Sequence, residues 1–189
     1  MTCWVVVPIK APAACKTRLA GVLGEEARAA LVARMLAHVV AVAGAAPGID
    51  RVLLVGLSRH ALDPAIPLIP DRGLGLNAAL ADACGMAVSA QVDRLIVLPA
   101  DLPELAPEEV AALAALAPDR IGVAPDRHGR GTNALSLPLP AAAGFRFAFG
   151  AASYAAHRDE AARIGLATAT VDRPGLARDI DEPADLALL

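Results

Sequence analysis

The chain has 189 residues, 56% of them apolar and only 3% aromatic, with a formal charge of −3. That length suits one domain with a core of its own. The acidic balance and the scarcity of aromatic rings exclude a broad phosphate-backbone footprint and the stacking platforms of single-strand binders, so no nucleic-acid partner is expected.

Cys3, Cys15 and Cys84 have no C-x-x-C spacing, which argues against zinc and for reduced thiols in a cytoplasmic protein. No run of about 18 uncharged apolar residues predicts a membrane span. In chain order, Trp4 to Val7 reads as a buried strand stopped by Pro8. The loop from Pro8 to Arg18 follows it and is basic. It holds both lysines, Lys10 and Lys16, of a chain with seventeen basic residues. A compact ammonium kept where arginine is used elsewhere suits a phosphate.

Glu25 and Glu26 open a helix that runs to about Ala43, with acid at its positive end and Gly44 closing it. Arg51–Val55 is a second strand and Pro67–Pro70 a short third. The turn Asp71–Asn77 then leads into a helix ending near Ser89. Leu95–Leu98 reads as a strand buried on both faces, ended by Pro99, with Asp101 just past its carboxyl end. Open α/β sheets place their ligands there. A carboxylate at that point suits Mg²⁺, and it equally suits the cap of a turn before the helix that Pro107-Glu108-Glu109 begins. If the first strand is its parallel neighbour, the basic loop opens into the same crevice.

Ile121–Ala124 is a further strand. The loop from Asp126 to Gly131 either turns Arg127, His128 and Arg130 toward an acidic ligand, with Gly129 and Gly131 offering backbone N–H groups, or is a solvated hairpin. Thr132 and Asn133 stand at a strand's start, placed to hydrogen-bond a ligand. Phe145 to Phe149 alternates in polarity. Gly150 and Ser153 precede a helix whose N-terminus suits a phosphate, although Ser153 also reads as a plain cap; His157 shares its face. After the strand Ala167–Val171, Asp179 and Asp181 flank Ile180 and so share a face toward Asp101, with helix capping before Pro183 as the simpler role for one of them. Strands alternating with helices predict an α/β fold with a mainly parallel central sheet covered on both faces, in three layers.

Gly73-Leu74-Gly75-Leu76-Asn77-Ala78 matches the G-x-G-x-x-A dinucleotide pattern, with Asp93 about twenty residues on. The match is poor in context, because two prolines interrupt the strand before it and Asp93 begins its strand instead of ending one. A nicotinamide-dependent reductase is therefore the second reading, and a non-catalytic nucleotide-binding module the third.

Val-Pro-Ile-Lys at 7–10, Lys-Thr-Arg-Leu at 16–19, Gly-Leu-Gly-Leu-Asn at 73–77, Pro-Ala-Asp-Leu-Pro at 99–103, the run 125–135, Phe-Gly-x-x-Ser-x-x-x-His at 149–157 and Asp-Ile-Asp-Glu-Pro-Ala-Asp-Leu at 179–186 together resemble the phosphoenolpyruvate and 2-phospho-L-lactate guanylyltransferases of coenzyme F420 biosynthesis. The resemblance covers nearly the whole chain in order. It implies a single-domain, MobA-like (Rossmann-like) nucleotidyltransferase that moves GMP from GTP to a small phosphorylated carboxylic acid. By that resemblance Asp101 and Asp181 are the Mg²⁺ ligands, with Asp179 the runner-up. Lys16 and Arg18 meet the triphosphate, and Lys16, Arg18 and Asp101 form the catalytic group. Pro8, Lys10, Lys16, Gly75 and Asn77 belong to the nucleotide, and Thr132, Gly150 and Ser153 to the acid. The glycine-rich opening loop of broader relatives is absent, and Thr17, Tyr154 and Glu182 stand where Ser, Phe and Thr are expected, Glu182 adding charge near the metal. No residue separates phosphoenolpyruvate, 2-phospho-L-lactate and 3-phospho-D-glycerate, and a homo-oligomer is compatible with the sequence.

Overall fold

Why the chain arranges itself around one crevice follows from its strand order. A computed structural model describes residues 1–10 and 15–189. Its strands are β1 (Cys3–Ile9), β2 (Arg51–Gly56), β3 (Leu68–Pro70), β4 (Arg94–Val97), β5 (Arg120–Pro125), β6 (Thr132–Pro138) and β7 (Ala167–Thr170). They form a seven-stranded sheet in the order β3-β2-β1-β4-β6-β5-β7. All pairs are parallel except β4 with β6 and β5 with β6, so β6 alone runs backward. Its first residue therefore lies at the same edge as the carboxyl ends of the others. The chain builds outward from β1 to β2 and β3, then crosses to β4 on the other side. That reversal is the switch point at which open sheets leave a crevice.

The helices are α1 (Glu25–Ala45), α2 (Leu76–Ser89), α3 (Pro107–Ala114), α4 (Ser153–Arg163) and the short α5 (Pro174–Ala177). Alternation along the strands sends Val6, Leu53, Leu95 and Val97 to one face, where α2 packs with Leu80 and Ala83 and α4 with Ala161. Val5, Val7, Leu54 and Ile96 face the other way, against Leu36 and Val39 of α1 and Val110 and Leu113 of α3. The result is the expected three-layer α/β fold. A third, smaller cluster joins Leu19, Leu31, Met35 and Ile180. It bolts the end of the basic loop and the C-terminal segment onto α1.

Several boundaries differ from the sequence reading. Pro8 does not stop β1: β4 ends at Val97 opposite Val6, so at Pro8 the strand has one neighbour only, where proline costs no second ladder bond. Gly44 does not end α1, which runs on to Ala45; the left-handed turn that favours glycine comes at Gly48 (φ 84). Phe145 to Phe149 alternates as read but pairs with no strand among the described residues. Among the described residues α1 is long and apolar enough by length and composition to cross a membrane, although, as the sequence reading has it, Arg34 and His38 leave no uncharged run of that length. Its apolar side, Leu36, Val39 and Ala43, is packed against the sheet. The one buried arginine of β4, Arg94, donates to Ser136 Oγ at 2.8 Å and to the carbonyls of Leu116 and Ala117 at 2.9 Å, closing the chain after α3.

Candidate active site

At the switch point β1 and β4 deliver two opposite charges to one place. Asp101 stands just beyond β4, and Lys16 stands where the loop after β1 returns; residues 11–14, the middle of the expected basic loop, lie outside the described residues. Lys16 adopts a left-handed backbone (φ 50). Its Nζ donates to Asp101 Oδ2 and, at 2.9 Å, to Asp181 Oδ1. Burial works against that ammonium, but the Asp101 and Asp181 carboxylates outweigh it and hold the group above its ordinary range. Arg18 is exposed at the rim, 3.7 Å from Asp181 Oδ2.

The C-terminal segment reaches the same point by a backbone bond, Ile180 N–H to Asp101 O at 3.2 Å. Ile180 is driven into the cluster with Leu19 and Met35, which turns Asp179 and Asp181 together toward Asp101. One oxygen from each of Asp101, Asp179 and Asp181 lies within 4.8 Å of the others. Asp101 Oδ1 is buried and has no hydrogen-bond partner among the described residues. An all-oxygen, acidic donor set with a buried lone pair to spare fits Mg²⁺. Burial first, and then the neighbouring Asp101 and Asp181 charges, push the Asp179 carboxyl up. It also accepts from Asn133 Nδ2 at 3.3 Å, while Asn133 donates to Leu176 O at 2.9 Å. Asn133 thus positions Asp179.

Two positioning residues were not legible as such. Asp185, almost fully buried, accepts the N–H groups of Asp181 (2.8 Å) and Glu182 (2.7 Å) and the Arg127 guanidinium (2.5 Å). Burial opposes its charge, yet these donors hold its carboxyl below the usual range. Arg127, read as a candidate for an acidic ligand, is turned to this clamp. The rest of its loop closes on Asp126, whose side chain accepts the N–H groups of His128, Arg130 and Gly131 and whose carbonyl accepts that of Gly129. The loop is a hairpin whose glycine N–H groups are already engaged. The only signal in the sequence was the Asp-Glu-Pro-Ala-Asp spacing, a capping pattern.

Beside the carboxylates lies a cavity of about 410 Å³ lined by Pro8, Lys10, Lys16, Gly75, Asp101 and Asp181, with apolar walls from Val32, Met35 and Leu76. Asp71, not singled out from sequence, also lines it. Asn77 does not: its Nδ2 donates to Phe149 O at 3.2 Å and its Oδ1 accepts Phe149 N–H at 2.8 Å.

Thr132, Gly150 and Ser153 meet on the far side of the carboxylates from β1. Ser153 is the first residue of α4 but does not cap it. Its Oγ accepts Thr132 N–H at 2.8 Å, because the backward β6 brings Thr132 directly against the helix start. The first two N–H groups of α4 go to Gly150 O and Arg130 O, so they are not free for the phosphate that the sequence suggested at this helix start; Gly150 itself is exposed, with φ 141.

A family model for CofC-like guanylyl transferases matches residues 3–189. The phosphoenolpyruvate guanylyltransferase of Sphaerobacter thermophilus is 41% identical over 98% of this chain and 91% of its own. The 2-phospho-L-lactate guanylyltransferase of Halorubrum lacusprofundi is 38% identical over 92% and 78%. Among solved structures, a nucleotidyl transferase from Methanothermobacter thermautotroptrophicus superposes with a TM-score of 0.66 over 100% of this chain and 95% of that one, at 15% identity. That likeness concerns the fold.

Proposed function

The chain belongs to the CofC-like guanylyl transferase family, and from that premise we propose that it transfers GMP from GTP to phosphoenolpyruvate, with 2-phospho-L-lactate and 3-phospho-D-glycerate as competing acceptors, for coenzyme F420 biosynthesis in the cytoplasm. The observation that carries the reading is the gathering of Asp101, Asp179 and Asp181 with Lys16 at the mouth of the cavity. In this reading Asp101 and Asp181, joined by Asp179, hold Mg²⁺. When bound, the ion supplies positive charge for the triphosphate and for the pyrophosphate that leaves.

Pro8, Lys10, Gly75 and Asp71 border the space for the nucleotide, and Asn77 serves it indirectly by holding Phe149. Thr132, Gly150 and Ser153 receive the acid. Its phosphate is largely a dianion at neutral pH, with a second pKa of about 6, so one oxygen can attack the α-phosphorus without a general base. The bond from the α-phosphorus to its bridging oxygen breaks, and pyrophosphate departs with the electron pair. What the chain must do is align the two phosphates and offset the charge that grows on the leaving group. Lys16 and Arg18 are the cations beside it.

Pyrophosphate release from GTP with Mg²⁺, measured with each of the three acids and with none, tests the reading. Release that depends on one acid is expected and names the acceptor. GTP binding without release in any mixture would instead make the chain a silent nucleotide-binding module.

A further inference from the structure

The transfer just described gives no task to the histidine that closes the Phe149-Gly150-x-x-Ser153-x-x-x-His157 motif. His157 is fully buried. The rings of Phe149 and Phe145 lie 4.8 and 5.7 Å from it, centroid to centroid. Its Nε2 lies 3.0 Å from the backbone nitrogen of Ala148. A backbone N–H can only donate, so Nε2 is the unprotonated, accepting nitrogen. Burial keeps the imidazole neutral, with its pKa pushed down to about 4. The ring's single proton is therefore on Nδ1, which stands 2.9 Å from Thr132 Oγ1, and Thr132 Oγ1 accepts it.

This arrangement has a consequence for Thr132. One lone pair of its hydroxyl is taken by His157, so the hydroxyl's own hydrogen must point away from the ring. A phosphate dianion or a carboxylate carries only acceptors. A hydroxyl with a free choice of partners can spend its hydrogen on a neighbouring protein acceptor; this one cannot spend it on the ring, so the hydrogen stays available to the ligand. We infer that His157 is a positioning residue that orients the Thr132 hydroxyl as a hydrogen-bond donor toward the phosphorylated acid, an inference that rests on Thr132 belonging to the acid's subsite. The same ring braces Ala148 while Asn77 of α2 holds the next residue, Phe149, from the other side. Gly150 leaves this strap already placed.

The test uses phosphoenolpyruvate and GTP as substrates and reads their KM values separately in H157Q, H157N, T132V and the double variant T132V/H157Q. H157Q can still receive the Ala148 N–H on its side-chain oxygen but leaves Thr132 without a fixed donor. It is expected to raise KM for phosphoenolpyruvate about tenfold, the scale of one hydrogen bond to a charged group, with KM for GTP unchanged within twofold. H157N, whose amide N–H falls near the place of Nδ1–H, recovers most of that loss. T132V alone shows the full effect, and adding H157Q to it changes nothing further.

Equal rises in both KM values, or effects of H157Q and T132V that simply multiply, would reduce His157 to a packing residue. Imidazole ¹⁵N shifts of the unmodified protein supply a check that needs no variant: an Nε2–H tautomer overturns the inference. If the unmodified protein turns over none of the three acids, the subsite reading falls and this inference falls with it. Turnover with H157Q unaltered refutes the inference alone.

Discussion

Acidification from pH 7 to about 4 should weaken the fold through His157, and by an amount its burial sets. The folded imidazole has a pKa of about 4 against an ordinary 6.5. Desolvation is the main cause; Glu160 is the charge that partly opposes it. A proton on Nε2 would also face the Ala148 N–H, donor against donor. Between those two pKa values the unfolded chain binds a proton that the folded chain refuses, so stability falls as pH falls. The contribution is complete above 6.5 and is lost progressively down to about 4. At 1.36 kcal/mol per unit the whole window amounts to roughly 3 kcal/mol, a large share of the 5–15 kcal/mol typical of a domain. Urea unfolding of the unmodified protein and of H157Q at a series of pH values measures it. Asp179, with its raised carboxyl, stabilises the folded state on acidification, while Asp185, with its lowered one, acts in the same sense as His157. Both are common to the two proteins and cancel in the difference. The expected result is a shallower loss in H157Q, whatever that substitution costs at pH 7. Parallel curves would refute the reasoning and place the ring in contact with water.

Asp101→Asn should abolish pyrophosphate release while leaving thermal unfolding close to that of the parent, because the substitution keeps the shape of the side chain, its amide oxygen can still accept from Lys16, and it relieves the repulsion with Asp179 and Asp181. Near-normal turnover would remove Asp101 from the metal site. Asp185→Ala should cost about 3 kcal/mol in denaturant unfolding, since it takes the carboxylate from the Arg127 guanidinium and leaves the N–H groups of Asp181 and Glu182 without their acceptor. In the fraction that folds, the Mg²⁺ concentration for half-maximal activity should rise. An unchanged requirement would show that the clamp does not place Asp179 and Asp181.

How much of this was legible depends on whether the cause was local. Leu95 to Leu98 declared a doubly covered strand because four consecutive apolar residues can be satisfied only with helices on both faces, and Asp101 then had one place to stand. The Asp179-Ile180-Asp181 triplet was legible for a similar reason, a two-residue period that any extended segment obeys. The alternative of Ser153 as a helix cap could not be dismissed from sequence, because local sequence cannot show that β6 runs backward and brings Thr132 N–H to its hydroxyl. Arg127 carried the charge expected of a ligand contact, and only the path of the C-terminus turned it to Asp185. The end of β1 was misplaced because tolerance of Pro8 depends on where β4 stops.

By itself the sequence determined the alternation of strands and helices, the three-layer fold and the carboxylates and lysines from which a site could be made. Hydrophobic period and turn chemistry are properties of neighbouring residues, and the chain states them directly. Tertiary structure alone decided which charges meet and which side chains already have partners. Lys16 reaches Asp101 and Asp181 across 85 and 165 residues of chain, and Asn77 bonds Phe149 across 72. Those pairings follow from strand order and from the single reversed strand, which no local pattern contains.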